Sequence, residues 1–246
     1  MKVLVVIPCH LKSVRLPGKA LLPLMGRPLI GWVWHRARIL PYEVVIATDS
    51  PEIAAYVEGE GARVFLTSAC ATGSDRVAQL AKTRPDVDVV VNLQGDEPLF
   101  DPAGPVQLVE HLRSTSRPMA TLATPLHGVE MWRRPHVVKV LVDGAGRACY
   151  FSRAPLPWVS PPSDDTHAIP AGVYHHVGIY AYRRAALLEF SRLPPSPWEQ
   201  AEKLEQLRPL YHGWDIGVQW VPGHHAGVDT LEDLHRVETL LRQEVP

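Results

Sequence analysis

Four residues in one short loop near the N-terminus are of the types that bind an anion. Ser13, Arg15, Gly18 and Lys19 follow the apolar, β-branched run at residues 3–7. Backbone N–H groups can converge in such a loop, while arginine and lysine bring fixed positive charge. The loop matches neither GxxxxGKS/T nor GxGxxG, which excludes those two phosphate-binding motifs. The same residues also suit an ordinary strand-to-helix connection with solvated charges.

Two carboxylates further along the chain could hold a divalent cation. Asp96 follows the strongly apolar run 87–92, and the carboxyl end of a central parallel strand is where open α/β sheets bind ligands. Asp229 directly precedes a capping-box pattern at the start of the last predicted helix. Magnesium held by one or two carboxylates and phosphate oxygens is usual in nucleotide chemistry. A plain turn is the alternative at both positions; Asp96 is preferred over Glu97 because it lies nearer the strand end.

A third polar stretch also begins a predicted helix. Gly73, Ser74 and Arg76 stand within TGSDR, ahead of an apolar pattern with helical spacing. Small and hydroxyl residues at a helix start let a ligand approach the backbone closely. The alternative is a plain helix cap formed by Ser74 or Asp75.

The elements that must position these residues alternate between strand and helix. The run at 3–7 predicts a strand buried on both faces, ended by Pro8, which has no N–H to give to a ladder. Helical spacing recurs from Pro28 onward, and further strands and helices follow in turn. Such alternation implies right-handed crossovers. We therefore predict an α/β fold with a Rossmann-like, mostly parallel sheet flanked by helices; the predicted strands after the first are 43–48, 63–66, 87–92 and 119–124.

The pattern changes at about residue 132. Residues 137–142 and 148–152 flank a Gly-rich turn and read as a β-hairpin, followed by a polar, proline-rich run at 160–170. A strand at 175–182, a helix at 199–210 and a strand at 216–221 follow. We interpret residues 1–246 as one domain, with an inserted antiparallel lid or dimerisation subregion at about 132–182.

Composition excludes several classes of function. A formal net charge of −1 among 246 residues favours neither nucleic acid nor an anionic membrane surface as partner. The sequence shows no signal-peptide pattern and no apolar run long enough for a membrane span. Its three cysteines lack CxxC spacing, which indicates reduced thiols and a cytoplasmic protein, and no His/Cys pattern suggests zinc.

Longer motifs extend over essentially the whole chain. They are RLPGK, TGSDR, QGDEP, YFSRAPLPW, HHVGIYAYR, LEQLR and GVDTLEDLHRV. In this order they resemble the 3-deoxy-manno-octulosonate cytidylyltransferase family of sugar nucleotidyltransferases. RLPGK and QGDEP are shared with related nucleotidyltransferases, whereas YFSRAPLPW, HHVGIYAYR and LEQLR are far more specific.

The resemblance implies a nucleotide-diphospho-sugar transferase type of fold and a reaction. The family transfers CMP from CTP to the anomeric hydroxyl of 3-deoxy-D-manno-octulosonate, an acidic eight-carbon sugar, and releases pyrophosphate. The product is an activated sugar for lipopolysaccharide or related glycoconjugates. The resemblance also implies a homodimer and Mg²⁺ as cofactor.

Roles for individual residues follow from the resemblance. The catalytic residues would be Lys19, Asp96 and Arg15, and Asp96 and Asp229 would hold Mg²⁺. The nucleotide would contact Pro8, Cys9, His10, Ser13, Arg15, Gly18, Lys19, Gly73, Ser74, Arg76 and Gln94. The sugar would contact Gln94, Arg153, His176, Tyr180, Glu205 and Gln206, with Arg153 receiving its carboxylate.

Three departures and two alternatives accompany this interpretation. Leu11 and Val14 replace a tyrosine and a threonine of the family's loop, and the segment at 67–73 is one residue shorter than in the family. His10 stands where the family has arginine, which makes one phosphate contact weaker or pH-dependent. The chain could instead be a nucleotidyltransferase for a different acidic sugar, or a catalytically weakened nucleotide-sugar binding protein. Lys19, Asp96 and Asp229 argue against the latter, since a binding module needs no metal pair.

Overall fold

Strands and helices alternate along the chain much as the hydrophobic pattern predicts. The structure, a computed structural model, describes residues 1–13, 16–70, 72–160, 169–222 and 227–244. Its strands are β1 (Val3–Cys9), β2 (Pro23–Leu24), β3 (Arg27–Pro28), β4 (Glu43–Thr48), β5 (Arg63–Leu66), β6 (Val89–Asn92), β7 (Met119–Thr124), β8 (Lys139–Val142), β9 (Ala148–Ser152), β10 (Val173–Arg183) and β11 (Ile216–Trp220). Its α-helices are α1 (Leu29–Ala37), α2 (Pro51–Gly59), α3 (Gly73–Thr83), α4 (Ala103–Ser114), α5 (Val129–Arg133), α6 (Arg184–Phe190), α7 (Pro197–Glu202), α8 (Leu207–Tyr211) and α9 (Leu231–Glu244).

One mixed sheet organises these elements. Within the described residues its strand order is β11-β7-β10-β6-β1-β4-β5, and β8 and β9 join it through β10. The pairs β1–β4, β1–β6, β4–β5 and β7–β11 are parallel. Strand β10 runs antiparallel between β6 and β7. The sheet is therefore mostly parallel on the side of β1, as predicted, with an antiparallel strand near its centre.

Strand β1 is buried along its whole length. Val5 and Ile7 pack with the helical layer that includes Ile30, whereas Leu4 and Val6 face the opposite layer. Fully burying such a side chain stabilises the fold by roughly 1.5–3 kcal/mol, so the strand anchors both layers.

The prediction that Pro8 ends this strand is wrong. Pro8 and Cys9 continue the pairing with β4, opposite Ala47 and Thr48. Pairing with β6 stops at Val6. Pro8 therefore lies beyond the part of β1 that pairs with β6. Because no hydrogen bond to β6 is made there, the N–H that proline lacks is not needed on that side.

Polar side chains cap the starts of α2, α3, α7 and α9; at α7 the cap is Ser196, in a capping box with Glu199. The N–H of Ile53 donates to Ser50 Oγ at 3.2 Å at the start of α2. At α3 the cap is Thr72, whose Oγ1 accepts from the Asp75 N–H at 3.1 Å. The cap is therefore neither Ser74 nor Asp75, and the Ser74 side chain remains available for other contacts. The capping box ahead of α9 is present, between Thr230 and Asp233.

The hairpin of β8 and β9 pairs with the N-terminal end of β10. The predicted helix at 199–210 is divided into α7 and α8, because Lys203 takes a left-handed conformation with φ 54°. That residue ends α7 and redirects the chain toward the sheet. The proline-rich run predicted as a loop falls largely on residues 161–168, outside the described residues.

Among the described residues, no helix combines the length and the apolar character needed to cross a bilayer.

Candidate active site

A lysine ammonium lies between two carboxylates at the carboxyl end of the central strands. The Nζ of Lys19 is 2.5 Å from Asp96 Oδ2 and 3.0 Å from Asp229 Oδ1. It also donates to the carbonyl of Val228 at 3.0 Å. Burial acts to lower the pKa of Lys19, but the attraction of Asp96 and Asp229 outweighs it and raises the pKa above the ordinary value. Lys19 is therefore a fixed cation.

Three separate elements bring this cluster together. Asp96 follows β6, and the Val228 N–H donates to its carbonyl at 2.9 Å, which ties the segment before α9 to the strand end. Lys19 opens a short 3₁₀ helix directly after Gly18, whose φ of 70° lies in the left-handed region that glycine adopts without strain. Asp96 and Asp229, which follow Lys19 by 77 and 210 residues, thus meet it at one point.

The carboxylate pair fits a magnesium ion. Oxygens of Asp96 and Asp229 already converge on one positive charge, the Lys19 ammonium. In the part of the chain that the structure describes, no group of three His, Cys, Asp or Glu side chains is placed to hold a metal. The remaining ligands would be phosphate oxygens and water, the usual arrangement for Mg²⁺.

Glu97, which the sequence makes a less favoured metal ligand than Asp96, is a buried carboxyl group beside this pair. Burial, together with the negative charges of Asp96 and Asp229, raises the pKa of Glu97 to about 8. Its Oε2 is buried with no hydrogen-bond partner among the described residues. A Cβ at Gly227 would lie 2.9 Å from Glu97 Oε1, so a larger residue there would push the Glu97 carboxyl group aside. Nothing in the sequence indicates that Glu97 is the more deeply buried of the two adjacent carboxylates, because the conformation of the turn after β6 decides which one points inward.

The predicted nucleotide side gathers at the ends of β1 and β6. A Cβ on Gly73 would lie 3.6 Å from Pro8 Cγ and 3.8 Å from Gln94 Oε1, so these three residues line one gap. Burial raises the pKa of the Cys9 thiol to about 12, which keeps it neutral and unsuited to nucleophilic attack. Burial and the charge of Arg76 lower the pKa of His10.

Arg76 is 3% exposed and is held by protein groups. Its guanidinium pairs with Asp49 at 3.2 Å and donates to Thr67 Oγ1. The backbone N–H of Ser13 donates to the carbonyl of Leu11. Arg15 lies outside the described residues, so its predicted catalytic role stays a prediction.

A partly buried chain of polar side chains links the predicted nucleotide and sugar residues. Gln94 Nε2 donates to Asn92 Oδ1 at 3.1 Å, and Asn92 Nδ2 donates to Ser74 Oγ at 3.4 Å. Ser74 Oγ donates to Glu205 Oε2 at 3.0 Å. Asn92 is fully buried and was not identified from the sequence. Its position at the carboxyl end of an apolar strand, two residues before Gln94, was the available signal.

A cavity of about 700 Å³ opens beside the carboxylates. Four predicted residues line it: Asp229 from the metal pair, and His176, Tyr180 and Gln206 from the sugar set. Glu97, Arg134 and Arg236 line it as well, and were not predicted. The cavity therefore adjoins the carboxylate pair directly, through Asp229.

His176 is buried and neutral in this cavity. Its Nε2 lies 3.0 Å from Thr121 Oγ1, and that hydroxyl donates to the carbonyl of Ile179 at 2.9 Å. Since a hydroxyl has one proton, the Nε2–H of His176 is the donor, and Nδ1 keeps its lone pair as an acceptor. Burial, with a smaller contribution from His175, lowers the pKa of His176 to about 3.

Arg153 is placed differently from the other predicted sugar residues. Its Nε donates to the carbonyl of Glu202 at 2.9 Å, and one terminal nitrogen donates to the carbonyl of Pro135 at 3.3 Å. It does not line the 700 Å³ cavity. The carboxylate role predicted for Arg153 stays a prediction.

The fold and the site together correspond to a family of known proteins. A family model for cytidylyltransferases matches residues 4–216, which defines the class of the chain. A 3-deoxy-manno-octulosonate cytidylyltransferase of Myxococcus xanthus is 45% identical over 240 residues, covering 96% of this chain and 95% of the relative. The chain belongs to the 3-deoxy-manno-octulosonate cytidylyltransferase family.

Further relatives agree. The enzyme of that name from Thioalkalivibrio sulfidiphilus is 48% identical over 247 residues, covering 97% of this chain and 98% of the relative. A solved structure of CMP:2-keto-3-deoxy-manno-octonic acid synthetase complexed with CTP matches all of both chains, with 38% identity and a TM-score of 0.90. The predicted resemblance and fold class are confirmed.

Proposed function

We propose that this chain transfers CMP from CTP to the anomeric hydroxyl of 3-deoxy-D-manno-octulosonate and releases pyrophosphate. The observation that carries the proposal is the continuity of the Lys19–Asp96–Asp229 cluster with the 700 Å³ cavity, since Asp229 belongs to both. A site for phosphates thus adjoins a space within the usual size range of small-molecule pockets. The names of the relatives supply the nucleotide and the sugar.

Charge neutralisation and positioning carry the reaction. The sugar hydroxyl oxygen attacks the α-phosphorus in line, the bond from that phosphorus to the bridging oxygen breaks, and pyrophosphate leaves. The hydroxyl proton passes to solvent. Lys19 keeps its charge because its pKa is raised, so it can neutralise phosphate oxygens. When bound by Asp96 and Asp229, Mg²⁺ would supply further neutralisation at the phosphate oxygens.

Neutral polar groups would orient the acceptor. His176 offers its Nδ1 as an acceptor, while Tyr180 and Gln206 line the same cavity and can meet sugar hydroxyls. Gln94 donates its Nε2 protons toward Asn92, which leaves its carbonyl oxygen beside Gly73 in the nucleotide gap. Discrimination by such groups is strong, because a wrong ligand leaves buried polar atoms unpaired.

The proposal also includes a homodimer and a cytoplasmic location. Large apolar side chains are exposed on the hairpin side, where Trp158 is 80% and Trp220 43% exposed, and a second copy of the chain would cover them. Three free cysteines accord with a reducing cytoplasm, where CTP is available. The product would enter lipopolysaccharide or related glycoconjugate synthesis.

Pyrophosphate release from purified protein tests the proposal. With Mg²⁺, CTP and 3-deoxy-D-manno-octulosonate, we expect turnover that needs all three; UTP, ATP or a neutral sugar should give little. Turnover only with another acidic sugar would favour the nucleotidyltransferase alternative. Tight nucleotide binding without turnover would favour the binding protein. Sedimentation of the same sample tests the homodimer.

A further inference from the structure

Lys139, the first residue of β8, is a completely buried cation with an unusual set of partners. Its side chain is 0% exposed. Its Nζ donates to the carbonyls of Val137 and Arg153, each at 2.6 Å, and of Arg134 at 3.0 Å. An ammonium group has three protons, so each meets one carbonyl. No carboxylate among the described residues lies within 4 Å of it.

The three carbonyls belong to two chain segments that meet at the edge of the cavity. Arg134 and Val137 lie in the connection between α5 and β8, and both line the 700 Å³ cavity. Arg153 directly follows β9, at the far end of the hairpin. Lys139 itself pairs with Ser152 in one neighbouring strand and His175 in the other. The ammonium therefore fastens the cavity rim at 134–137 to the end of β9.

A second connection continues from β9 to another wall of the cavity. Glu202 accepts from Ser152 Oγ at 2.6 Å and from the Arg153 N–H at 2.9 Å. The guanidinium of Arg153 donates back to the carbonyl of Glu202 at 2.9 Å. Glu202 ends α7, and the following turn carries the cavity residues Leu204 and Gln206.

We propose that Lys139 is a positioning residue for the sugar acceptor: it fixes the rim at 134–137 and, through Arg153 and Glu202, the turn that carries Gln206. This inference rests on the proposed function for the identity of the acceptor, and on the geometry alone for the connection. A charged donor satisfies three carbonyls at once, and no apolar side chain of that length can replace it. Burial lowers the pKa of Lys139 to about 8, with Glu202 raising it and Arg153 lowering it.

Arg183 provides a matched control. It too donates to three backbone carbonyls, those of Leu112, Thr115 and Arg117, at 2.7, 2.5 and 3.1 Å. These carbonyls lie at and beyond the end of α4, and none of these residues lines the cavity. Lys139→Met and Arg183→Met therefore remove the same kind of contact at two different places.

Steady-state kinetics and amide hydrogen exchange test the inference together. In Lys139→Met we expect the KM for the acceptor to rise at least ~10-fold while the KM for CTP changes less than ~2-fold, and amides at 134–138 and 203–207 to exchange faster. Arg183→Met should speed exchange only near 112–117 and leave the acceptor KM unchanged. Glu202→Gln should raise the acceptor KM by a smaller factor, and the double variant should fall short of the product of the two effects.

The inference is overturned if Lys139→Met leaves exchange at 203–207 unchanged, or if both KM values rise equally, or if Arg183→Met gives the same acceptor defect. Should Lys139→Met fail to fold, the exchange and acceptor KM of Glu202→Gln decide the question alone. The exchange result needs no substrate, so it is independent of the proposed function, which fails instead if the unaltered protein does not turn over CTP with the acidic sugar.

Discussion

The hydroxyl oxygen of Ser74 lies 3.0 Å from Oε2 of Glu205, 131 residues further along the chain. Ser74 lies in the first turn of α3 on the predicted nucleotide side, whereas Glu205 belongs to the predicted sugar set. Burial raises the pKa of Glu205, and the hydrogen bonds from Thr72 and Ser74 act against that rise. The Ser74–Glu205 hydrogen bond, which is partly buried, thus joins the two halves of the site.

The substitution Ser74→Ala should weaken the binding of both substrates. The buried carboxyl of Glu205 loses a donor, a change worth ~1–3 kcal/mol. We expect the KM for CTP and the KM for the acceptor each to rise several-fold, measured by pyrophosphate release. Ser114→Ala, which removes an exposed hydroxyl at the end of α4, is the control. A rise in the CTP value alone would show that the Ser74–Glu205 contact does not join the two sides.

Asp96→Asn should abolish turnover while preserving the fold. Asparagine keeps the size of the side chain but removes the charge that lies 2.5 Å from Lys19 Nζ. We expect kcat to fall at least ~100-fold, because electrostatic groups at a reacting phosphate contribute on that scale. Circular dichroism and the melting temperature should change little. Glu110→Gln, at an exposed carboxylate paired with Arg113, is the control. Near-normal activity of Asp96→Asn would remove Asp96 from the catalytic role.

Removal of divalent metal should stop the reaction reversibly. Excess EDTA should abolish pyrophosphate release, and Mg²⁺ should restore it. Because Asp229 is the second converging carboxylate, Asp229→Asn should raise the Mg²⁺ concentration for half-maximal activity by ~10-fold or more. Full activity in EDTA, or an unchanged Mg²⁺ requirement in the variant, would contradict the metal assignment.

Acid should destabilise the protein through His176. Its pKa is lowered from 6.5 to about 3 in the folded state, so between those values the unfolded chain binds a proton that the folded chain does not. Stability is therefore lost as pH falls below 6.5, by about 1.4 kcal/mol per pH unit from this group. Urea unfolding at pH 7 and pH 5 should show this loss relative to His176→Gln. Equal losses in both proteins would contradict it.

The sequence predicts much of the fold where strands are buried on both faces. The bounds of β4, β5 and β7 coincide with the predicted strands, because apolar β-branched runs there end at polar or turn residues. The place of β10 could not be predicted. Its pairing with β6 and β7 joins residues about 50 to 95 positions apart, and no local pattern encodes such a partner. The break at Lys203 depends likewise on packing, since lysine has no preference for a left-handed turn.

Some residues of the candidate site could likewise be predicted from the sequence, and others could not. Lys19, Asp96 and Asp229 could be identified from their places at strand and helix ends, and the structure brings them together. Glu97 and Asn92 could not, because their importance comes from burial and from partners distant in sequence. A sequence pattern indicates which residue types stand at the end of a strand or helix. It does not indicate which of two adjacent carboxylates points into the protein.

Strand β10 has a mechanical consequence for catalysis. Its eleven residues form an extended rod about 35 Å long, which begins beside the hairpin and ends between β6 and β7. Hydrogen bonds hold it at both ends, so the hairpin cannot swing as a separate body on a flexible linker. The ladder with β7 is irregular only between Val177 and Tyr180, at the wall of the cavity. The least regularly paired step of the β10–β7 ladder therefore lies in the wall of the cavity, where Val177, Gly178 and Tyr180 line it.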